Sequence, residues 1–206
     1  MKLADQKIYL ASKSPRRREL LRQIGVDFEL LLLREVTPRG PEVSETVFPS
    51  ELAADYVTRV TREKLDCAQQ TMWLRKLPLR AVLAADTTVV LDERILGKPS
   101  NLAEATAMLR SLQNRTHQVL TSVAVQRGEE IFQITQSSDV AFGPLTDAML
   151  RAYCTTSEPY DKAGGYAIQG LAAMFVREIT GSYSGIMGLP LFETVQLLRQ
   201  AGLRVL

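Results

Sequence analysis

Residues 12–18 read SKSPRRR and place three adjacent arginines where an apolar run gives way to a helix. Ser14 and Pro15 predict the helix start, because serine is a good N-cap and proline suits the first turn. A helix N-terminus presents free N–H groups to an anion, and arginine adds planar donors that match phosphate oxygens. The segment therefore predicts a phosphate site. Only some of the three arginines can face one ligand, because they fan out around the helix. On this stretch alone, a solvated basic helix start is the alternative.

A carboxylate interrupts the apolar strand predicted over residues 81–92, which reads AVLAADTTVVLD. An unpaired buried charge costs several kcal/mol, so Asp86 needs a partner or a place at the edge of a cleft. There it could act as a general base or a magnesium ligand, with the Thr87 hydroxyl beside it. If the chain folds back after the turn at residues 92–93, Lys98 returns near Asp86 and could bind phosphate. A structural aspartate and an ordinary turn lysine are the alternatives.

The third polar segment is YDKAGGYAIQG, residues 160–170, whose glycines favour tight turns or close approach to a ligand. Lys162 could hold phosphate, and Gln169 can both donate to and accept from the edge of a nucleobase. A purely structural loop is the alternative. His117 is the single histidine. It begins a predicted strand far from any nucleophile motif, so we expect it to be structural.

The composition is that of an ordinary globular protein, with 206 residues, 46% hydrophobic residues and a net charge of +2. A protein that coats nucleic acid would usually be far more basic. Cys67 and Cys154 lie far apart and form no zinc motif, and two thiols suit a reducing compartment. The sequence contains no P-loop, no GxGxxG motif and no apolar run long enough for a membrane span. We therefore predict a single cytoplasmic domain over residues 1–206.

The periodicity of apolar residues predicts alternating helices and strands with one long hairpin that turns at Gly128. Strands are predicted at 7–11, 26–33, 81–92 and 116–142, and a strand with a turn at 172–185. Helices are predicted at 15–24, 50–70, 102–113, 145–156 and 189–202, the second helix capped by Ser50. Residues 34–49 are polar and predict a surface loop, and ERILGKP predicts a turn. This order is typical of a mixed α/β (α+β) fold with a cleft between two lobes.

Taken together and in order, five motifs resemble those of the Maf family along nearly the whole chain. They are LASKSPRRRELL, REK at residues 62–64, AADTTVVLDERILGKP, DKAGGYAIQG and GSYSGIMGLPL. The resemblance implies a metal-dependent nucleoside triphosphate pyrophosphatase that removes unwanted nucleotides from the pool, with a link to septum formation and division arrest. It also implies an elongated mixed β-sheet flanked by helices, two lobes and a central cleft, similar to the inosine triphosphate pyrophosphatases.

The resemblance also implies roles for individual residues. Asp86 matches the family's catalytic carboxylate, which accepts a proton from the attacking water. Positions that set substrate specificity match Arg16, Thr87 and Gln169. Positions that gather the triphosphate match Ser12, Arg17, Lys64, Lys98 and Lys162. The family's acidic pair after the second strand is replaced here by LLREVTPRG. The metal, Mg²⁺ or Mn²⁺, would then be held by Asp86 and Glu35, with Glu42 and Glu45 as fallback candidates.

Lys162 and Gln169 also favour one branch of the family, because the form DKAGxYxIQG resembles the branch that acts on dTTP and UTP. The branch that acts on 7-methyl-GTP has a cysteine before AG and lacks the glutamine. Two alternatives to this function remain. One is hydrolysis of 7-methyl-GTP, and the other is a non-catalytic nucleotide-binding regulator of septum formation. A weaker alternative is a nucleic-acid binder that uses the arginine cluster, against which the charge balance and the few aromatic residues speak. The resemblance makes a homodimer an expectation.

Overall fold

The computed structural model describes residues 6–33 and 43–205. Within these ranges the chain forms seven β-strands and six α-helices. The strands are β1 (Ile8–Leu10), β2 (Phe28–Leu30), β3 (Val82–Leu91), β4 (Arg94–Leu96), β5 (Thr116–Arg127), β6 (Glu130–Phe142) and β7 (Val176–Thr180). The helices are α1 (Pro15–Gln23), α2 (Ala53–Leu74), α3 (Leu102–Leu112), α4 (Asp147–Cys154), α5 (Tyr183–Met187) and α6 (Leu191–Gln200). The predicted mixed α/β fold is confirmed.

All seven strands of the described ranges belong to one mixed sheet, in the order β2-β1-β3-β5-β6-β7, with β4 paired to β3. β1 runs parallel to both β2 and β3, and the remaining pairs are antiparallel. The long pair of β5 and β6 is the predicted hairpin, and Gly128 lies in its turn at a φ of +62°. Parallel strands need a crossover connection, and α1 and α2 supply the two crossovers here.

An opening in the sheet lies beside the middle of β3. On one side β3 pairs with β5 along nearly its whole length. On the other side β1 pairs only with Val82 and Leu83, and β4 pairs only from Val89 onward. Among the described residues no strand pairs with this side of β3 at residues 84–88. The chain therefore leaves a cleft at the segment that carries Asp86.

Two principal hydrophobic cores lie on either side of this cleft, and β3 contributes to both. One core contains Leu83 and Ala85 and packs them against α1 and α6. The other contains Val89 and Leu91 and packs them against α3 and α4. Asp86 thus lies where the chain passes from one core to the other. In the described part of the chain, no helix is both long enough and apolar enough to span a membrane.

Local signals in the sequence predicted α1 correctly, but they misplaced the start of α2 and missed β4 and α5. The Ser14 hydroxyl accepts from the Arg17 N–H at 3.4 Å, and Pro15 opens α1 as expected. The prediction that Ser50 caps α2 is wrong: α2 begins at Ala53, and Ser50 has a φ of +62°. β7 forms within the strand predicted at 172–185, but that segment ends in α5. β4 and α5 were not predicted, because three and five residues are too few to establish a period. That the whole chain forms one domain stays a prediction.

His117 is buried and structural, as its position at the start of β5 predicts. Its Nε2 lies 2.7 Å from the Tyr166 hydroxyl, and its ring packs edge-on against Phe142. Burial lowers the pKa of His117 to about 4. The folded protein therefore keeps this imidazole neutral through the physiological range.

This low pKa predicts a loss of stability in mild acid. Between pH 6.5 and pH 4 the unfolded chain protonates His117 while the folded chain does not, so lowering the pH favours unfolding. We expect the free energy of unfolding to fall by about 2 kcal/mol between pH 7 and pH 5 from this group. Urea titrations at both pH values measure it. His117→Gln should remove this part of the fall, and an equal fall in both proteins would contradict the prediction.

Candidate active site

A cavity of about 790 Å³ opens at the unpaired side of β3. Its walls come from the start of α1, the middle of β3, the glycine-rich loop and the end of α5. Nine predicted site residues line this one cavity: Ser12, Arg16, Arg17, Lys64, Asp86, Thr87, Lys98, Lys162 and Gln169. The tenth, Glu35, lies outside the described residues, as does Glu42. The structure therefore brings every described residue of the prediction to one site.

Arg17 lines the cavity and is held by three hydrogen bonds. Its Nε donates to the Gly188 carbonyl at 2.7 Å, and its Nη1 and Nη2 donate at 3.2 Å each to Ser12 Oγ and Thr87 Oγ1. Burial lowers the pKa of the Arg17 guanidinium, and the nearby charge of Asp86 opposes this effect. An arginine still stays protonated at neutral pH. Arg17 is thus a fixed positive charge pointing into the site.

The three adjacent arginines do not share one role. Arg16 and Arg17 line the cavity, whereas Arg18 is not among its lining residues. Arg18 Nε is instead buried and has no hydrogen-bond partner among the described residues. Successive residues of a helix point about 100° apart, so the fan predicted for this cluster is what the structure contains.

Lys64 bridges two carboxylates beside the cavity. Its Nζ lies 2.6 Å from Asp86 Oδ1 and 2.8 Å from Glu45 Oε1. The bridge forms because α2 packs across β3 and β5 and faces Lys64 toward the opening. Asp86 is only 9% exposed, so this ammonium is the partner that its buried charge requires. Glu45, a fallback candidate in the sequence, thereby reaches the site.

The segment that carries Glu45 is fixed by its surroundings. The Tyr56 hydroxyl donates to the Glu45 carbonyl at 3.1 Å. Burial, followed by the charges of Asp86 and Glu45, raises the pKa of Tyr56 to about 12, so this donor stays protonated. Burial alone would raise the pKa of the Glu45 carboxyl, but the charges of Lys64, Lys98 and Arg17 outweigh it and lower this pKa. Glu45 is therefore an anion at neutral pH.

The donor set suits a divalent cation. Asp86 and Glu45 already converge on one positive charge, and their oxygens are the hard ligands that Mg²⁺ and Mn²⁺ prefer. No cluster of three or more histidine, cysteine or acidic residues occurs within residues 6–33 and 43–205. Magnesium sites commonly combine one or two carboxylates with substrate phosphates and water, which is the arrangement that fits here.

The glycine-rich loop closes one wall of the cavity. Gly164 has a φ of +72°, and an added Cβ would lie 2.8 Å from Val89 Cγ2, so only glycine fits against β3. Its N–H donates to the Gly97 carbonyl at 3.0 Å, which joins the loop to the segment that carries Lys98. Lys162 Nζ donates to the Glu158 carbonyl at 2.8 Å and also pairs with the Asp161 carboxylate.

The cavity concentrates positive charge. It is lined by six basic and three acidic side chains, whereas the whole chain carries only +2. The basic ones are Lys13, Arg16, Arg17, Lys64, Lys98 and Lys162, and the acidic ones are Glu45, Asp86 and Asp161. A cleft of this charge raises the local concentration of a polyanion.

Sequence reasoning missed the roles of two residues, Gly188, which lines the cavity, and Thr121, which lies behind its wall. Thr121 lies directly opposite Thr87 in the ladder of β3 and β5, and their hydroxyl oxygens are 2.9 Å apart. Gly188 supplies the carbonyl that holds Arg17 and has a φ of +117°. The GSYSGIMGLPL motif pointed to Gly188 without a role, but only the register between the strands identifies Thr121.

The chain matches the family model described as "Maf-like protein" over residues 7–201. It is 51% identical to a protein of Aromatoleum aromaticum named "dTTP/UTP pyrophosphatase", covering 98% of each chain. It is 49% identical to a protein of that name from Nitrosospira multiformis, covering 100% of this chain and 99% of the relative. A Haemophilus ducreyi protein named "Nucleoside triphosphate pyrophosphatase" is 44% identical, covering 98% of each.

Among solved structures, the chain resembles the Staphylococcus aureus Ham1 protein with a TM-score of 0.45 and 15% identity, covering 95% of this chain and 99% of that one. The family match spans nearly the whole described chain and includes every motif that lines the cavity. The predicted family is thus confirmed: the chain belongs to the Maf-like protein family.

Proposed function

We propose that this protein hydrolyses dTTP and UTP to the nucleoside monophosphate and pyrophosphate. The observation that carries this proposal is the buried Asp86 carboxylate, bridged by Lys64 at 2.6 Å and facing a cavity rich in basic side chains. A triphosphate carries about four negative charges, which the excess positive charge of the cavity complements. The names of the relatives and the DKAGGYAIQG motif, with Lys162 and Gln169, support the pyrimidine substrates.

In this proposal Asp86 is the general base. It accepts a proton from a water molecule whose oxygen attacks the α-phosphorus, and pyrophosphate departs with the electrons of the broken P–O bond. Lys64 orients the carboxylate through its hydrogen bond to Oδ1. Arg17 and Lys98, which line the same cavity, are assigned to stabilise the charge that develops on the phosphate oxygens.

The proposal includes a divalent metal, Mg²⁺ or Mn²⁺, held by Asp86 and Glu45. Such an ion neutralises negative charge on the phosphates when it is bound. Glu45 takes this place because it shares the Lys64 ammonium with Asp86. A contribution from Glu35 stays a prediction, because it lies outside the described residues.

The remaining residues divide between the two ends of the substrate. We assign the triphosphate to the hydroxyl and basic groups of Ser12, Arg17, Lys64, Lys98 and Lys162. We assign recognition of the nucleoside to Arg16, Thr87 and Gln169. Tyr166 and Ile168 add apolar surface to the same cavity, which suits the faces of a base. Lys162 Nζ uses two of its three N–H donors on Glu158 and Asp161, and the third is left for a phosphate.

Release of pyrophosphate from a panel of nucleotides tests the function. We expect metal-dependent release led by dTTP and UTP, well above CTP, ATP, GTP and 7-methyl-GTP, and none with EDTA. Release led by 7-methyl-GTP would retain the pyrophosphatase and reject the pyrimidine branch. Tight nucleotide binding without release would instead support the non-catalytic regulator.

Gln169 is exposed at the cavity and offers an NH₂ group with two donors and one carbonyl acceptor. We expect Gln169→Ala to lower the preference for UTP over CTP by about tenfold and to lower kcat for UTP less, because an amide that pairs with a base edge contributes chiefly to selectivity. Steady-state kinetics with both nucleotides measure the two effects. An unchanged preference would remove Gln169 from this role.

Three further expectations stay predictions. They are action in the cytoplasm, assembly as a homodimer and the lack of a nucleic-acid partner. Gel filtration with light scattering tests the dimer. A titration with single-stranded oligonucleotides at increasing salt tests the nucleic-acid alternative, because phosphate contacts by arginine weaken steeply with salt.

A further inference from the structure

We propose that Thr121 sets the substrate preference by fixing the direction of the Thr87 hydroxyl, so that Thr87 accepts and cannot donate a hydrogen bond at the base. The inference rests on the proposed function. Thr121 is fully buried and does not line the cavity, so it acts as a positioning residue through Thr87.

The direction follows from counting protons. Thr121 Oγ1 donates to the Gly185 carbonyl at 2.8 Å, and a carbonyl cannot donate in return. A threonine hydroxyl carries one proton, so the Thr121 proton is already used. The 2.9 Å contact between the two threonine hydroxyls can then form only if Thr87 is the donor.

The neighbour on the other side requires the same direction. Arg17 Nη2 donates to Thr87 Oγ1 at 3.2 Å, and a guanidinium has no lone pair to accept the Thr87 proton. Thr87 therefore gives its proton to Thr121 and accepts one from Arg17. Its remaining lone pair is available to a ligand, and it has no proton left to offer.

One short segment holds both ends of this chain of hydrogen bonds. The Gly185 carbonyl accepts from Thr121, and the Gly188 carbonyl accepts from Arg17 at 2.7 Å. A Cβ added at Gly188 would lie 3.5 Å from Thr87 Oγ1 and 3.6 Å from Arg17 Nε. The end of α5 therefore packs closely against the pair and limits other rotamers.

A hydroxyl that only accepts distinguishes pyrimidines by one atom. Uracil and thymine present an imide N–H at position 3, whereas cytosine presents a lone pair there. The Thr87 oxygen can accept a hydrogen bond from the N3–H of uracil or thymine. It cannot pair with the N3 lone pair of cytosine, and two facing acceptors without a proton between them are costly when buried. The 5-methyl group and the 2′-hydroxyl do not enter this contact, which accounts for a site that takes both dTTP and UTP.

Thr121→Val is the decisive variant, because valine keeps the shape but cannot accept the Thr87 proton. Thr87 can then turn its proton toward the substrate and donate to cytosine. We expect the ratio of kcat/KM for UTP to that for CTP to fall about tenfold, chiefly through a gain with CTP. Thr121→Ser retains the hydroxyl and should retain the wild-type ratio. Thermal unfolding of both variants checks that they fold.

A second measurement uses the wild-type protein and so does not depend on the folding of a variant. In 3-deazacytidine triphosphate a C–H replaces the N3 lone pair, so it should be hydrolysed better than CTP. If it is no better, or if Thr121→Val keeps the wild-type ratio, the inference is wrong. Equal use of UTP and CTP by the wild type would also overturn it. A wild type that hydrolyses neither dTTP nor UTP would instead reject the proposed function itself.

Discussion

Asp86→Asn should lower kcat for dTTP by about a thousandfold, in the range that a general base contributes. The amide occupies nearly the same volume in the buried strand but cannot take a proton from water. Binding of the nucleotide should survive, because the arginine and lysine side chains around the cavity are unchanged. Pyrophosphate release measures the first effect, and calorimetric titration with a nonhydrolysable dTTP analogue measures the second.

Asp92→Asn is the matched control for this experiment. Asp92 is an exposed carboxylate that pairs with Arg115 at 2.6 Å in the turn between β3 and β4, outside the cavity. Its φ of +50° is one that asparagine also tolerates. We expect this variant to retain full activity. Wild-type turnover by Asp86→Asn would show that Asp86 is not the base.

Arg17→Lys is expected to lower kcat/KM for dTTP by about a hundredfold although the charge is retained. Arg17 directs three separate N–H groups to Gly188, Ser12 and Thr87, and a lysine ammonium cannot reach all three. The variant should therefore lose both the fixed charge toward the phosphates and the partner that holds Thr87. Steady-state kinetics should report a higher KM together with a lower kcat.

Arg22→Lys, on the same helix, is the matched control, because it makes the same exchange at a position outside the cavity. Arg22 is exposed and does not line the cavity. Its Cζ lies 5.5 Å from the centre of the Phe28 ring. Its replacement should leave kcat/KM unchanged within about twofold. Equal losses in the two variants would mean that any arginine-to-lysine exchange in α1 lowers the activity, and that the three hydrogen bonds of Arg17 have no special role.

The fold and most of the site could be predicted from the sequence because their signals are local. The Ser14-Pro15 pair marks the start of α1, and alternation marks the long hairpin. A carboxylate within an apolar strand marks Asp86, because burying it without a partner would be costly. These features depend on residues close together in the chain, so no tertiary contact is needed to recognise them.

The start of α2, the short β4 and the role of Glu45 could not be predicted in the same way. Helix boundaries depend on tertiary packing as much as on caps, and Ser50 lies in a left-handed conformation that the sequence does not indicate. Glu45 stood among several acidic residues of a polar segment. Only the tertiary structure brings Glu45 to Lys64.

The sequence alone thus determined the mixed α/β order, the family resemblance and nine of the residues that line the cavity, since residue type and spacing carry this information. Only the tertiary structure decided which partners these residues have. The opening beside β3 depends on where β1 ends and β4 begins, and the pair of Thr87 and Thr121 depends on strand register. Hydrogen bonds between residues far apart in sequence form only after the sheet is assembled, so their direction, and the donor or acceptor they leave for a ligand, is a property of the fold.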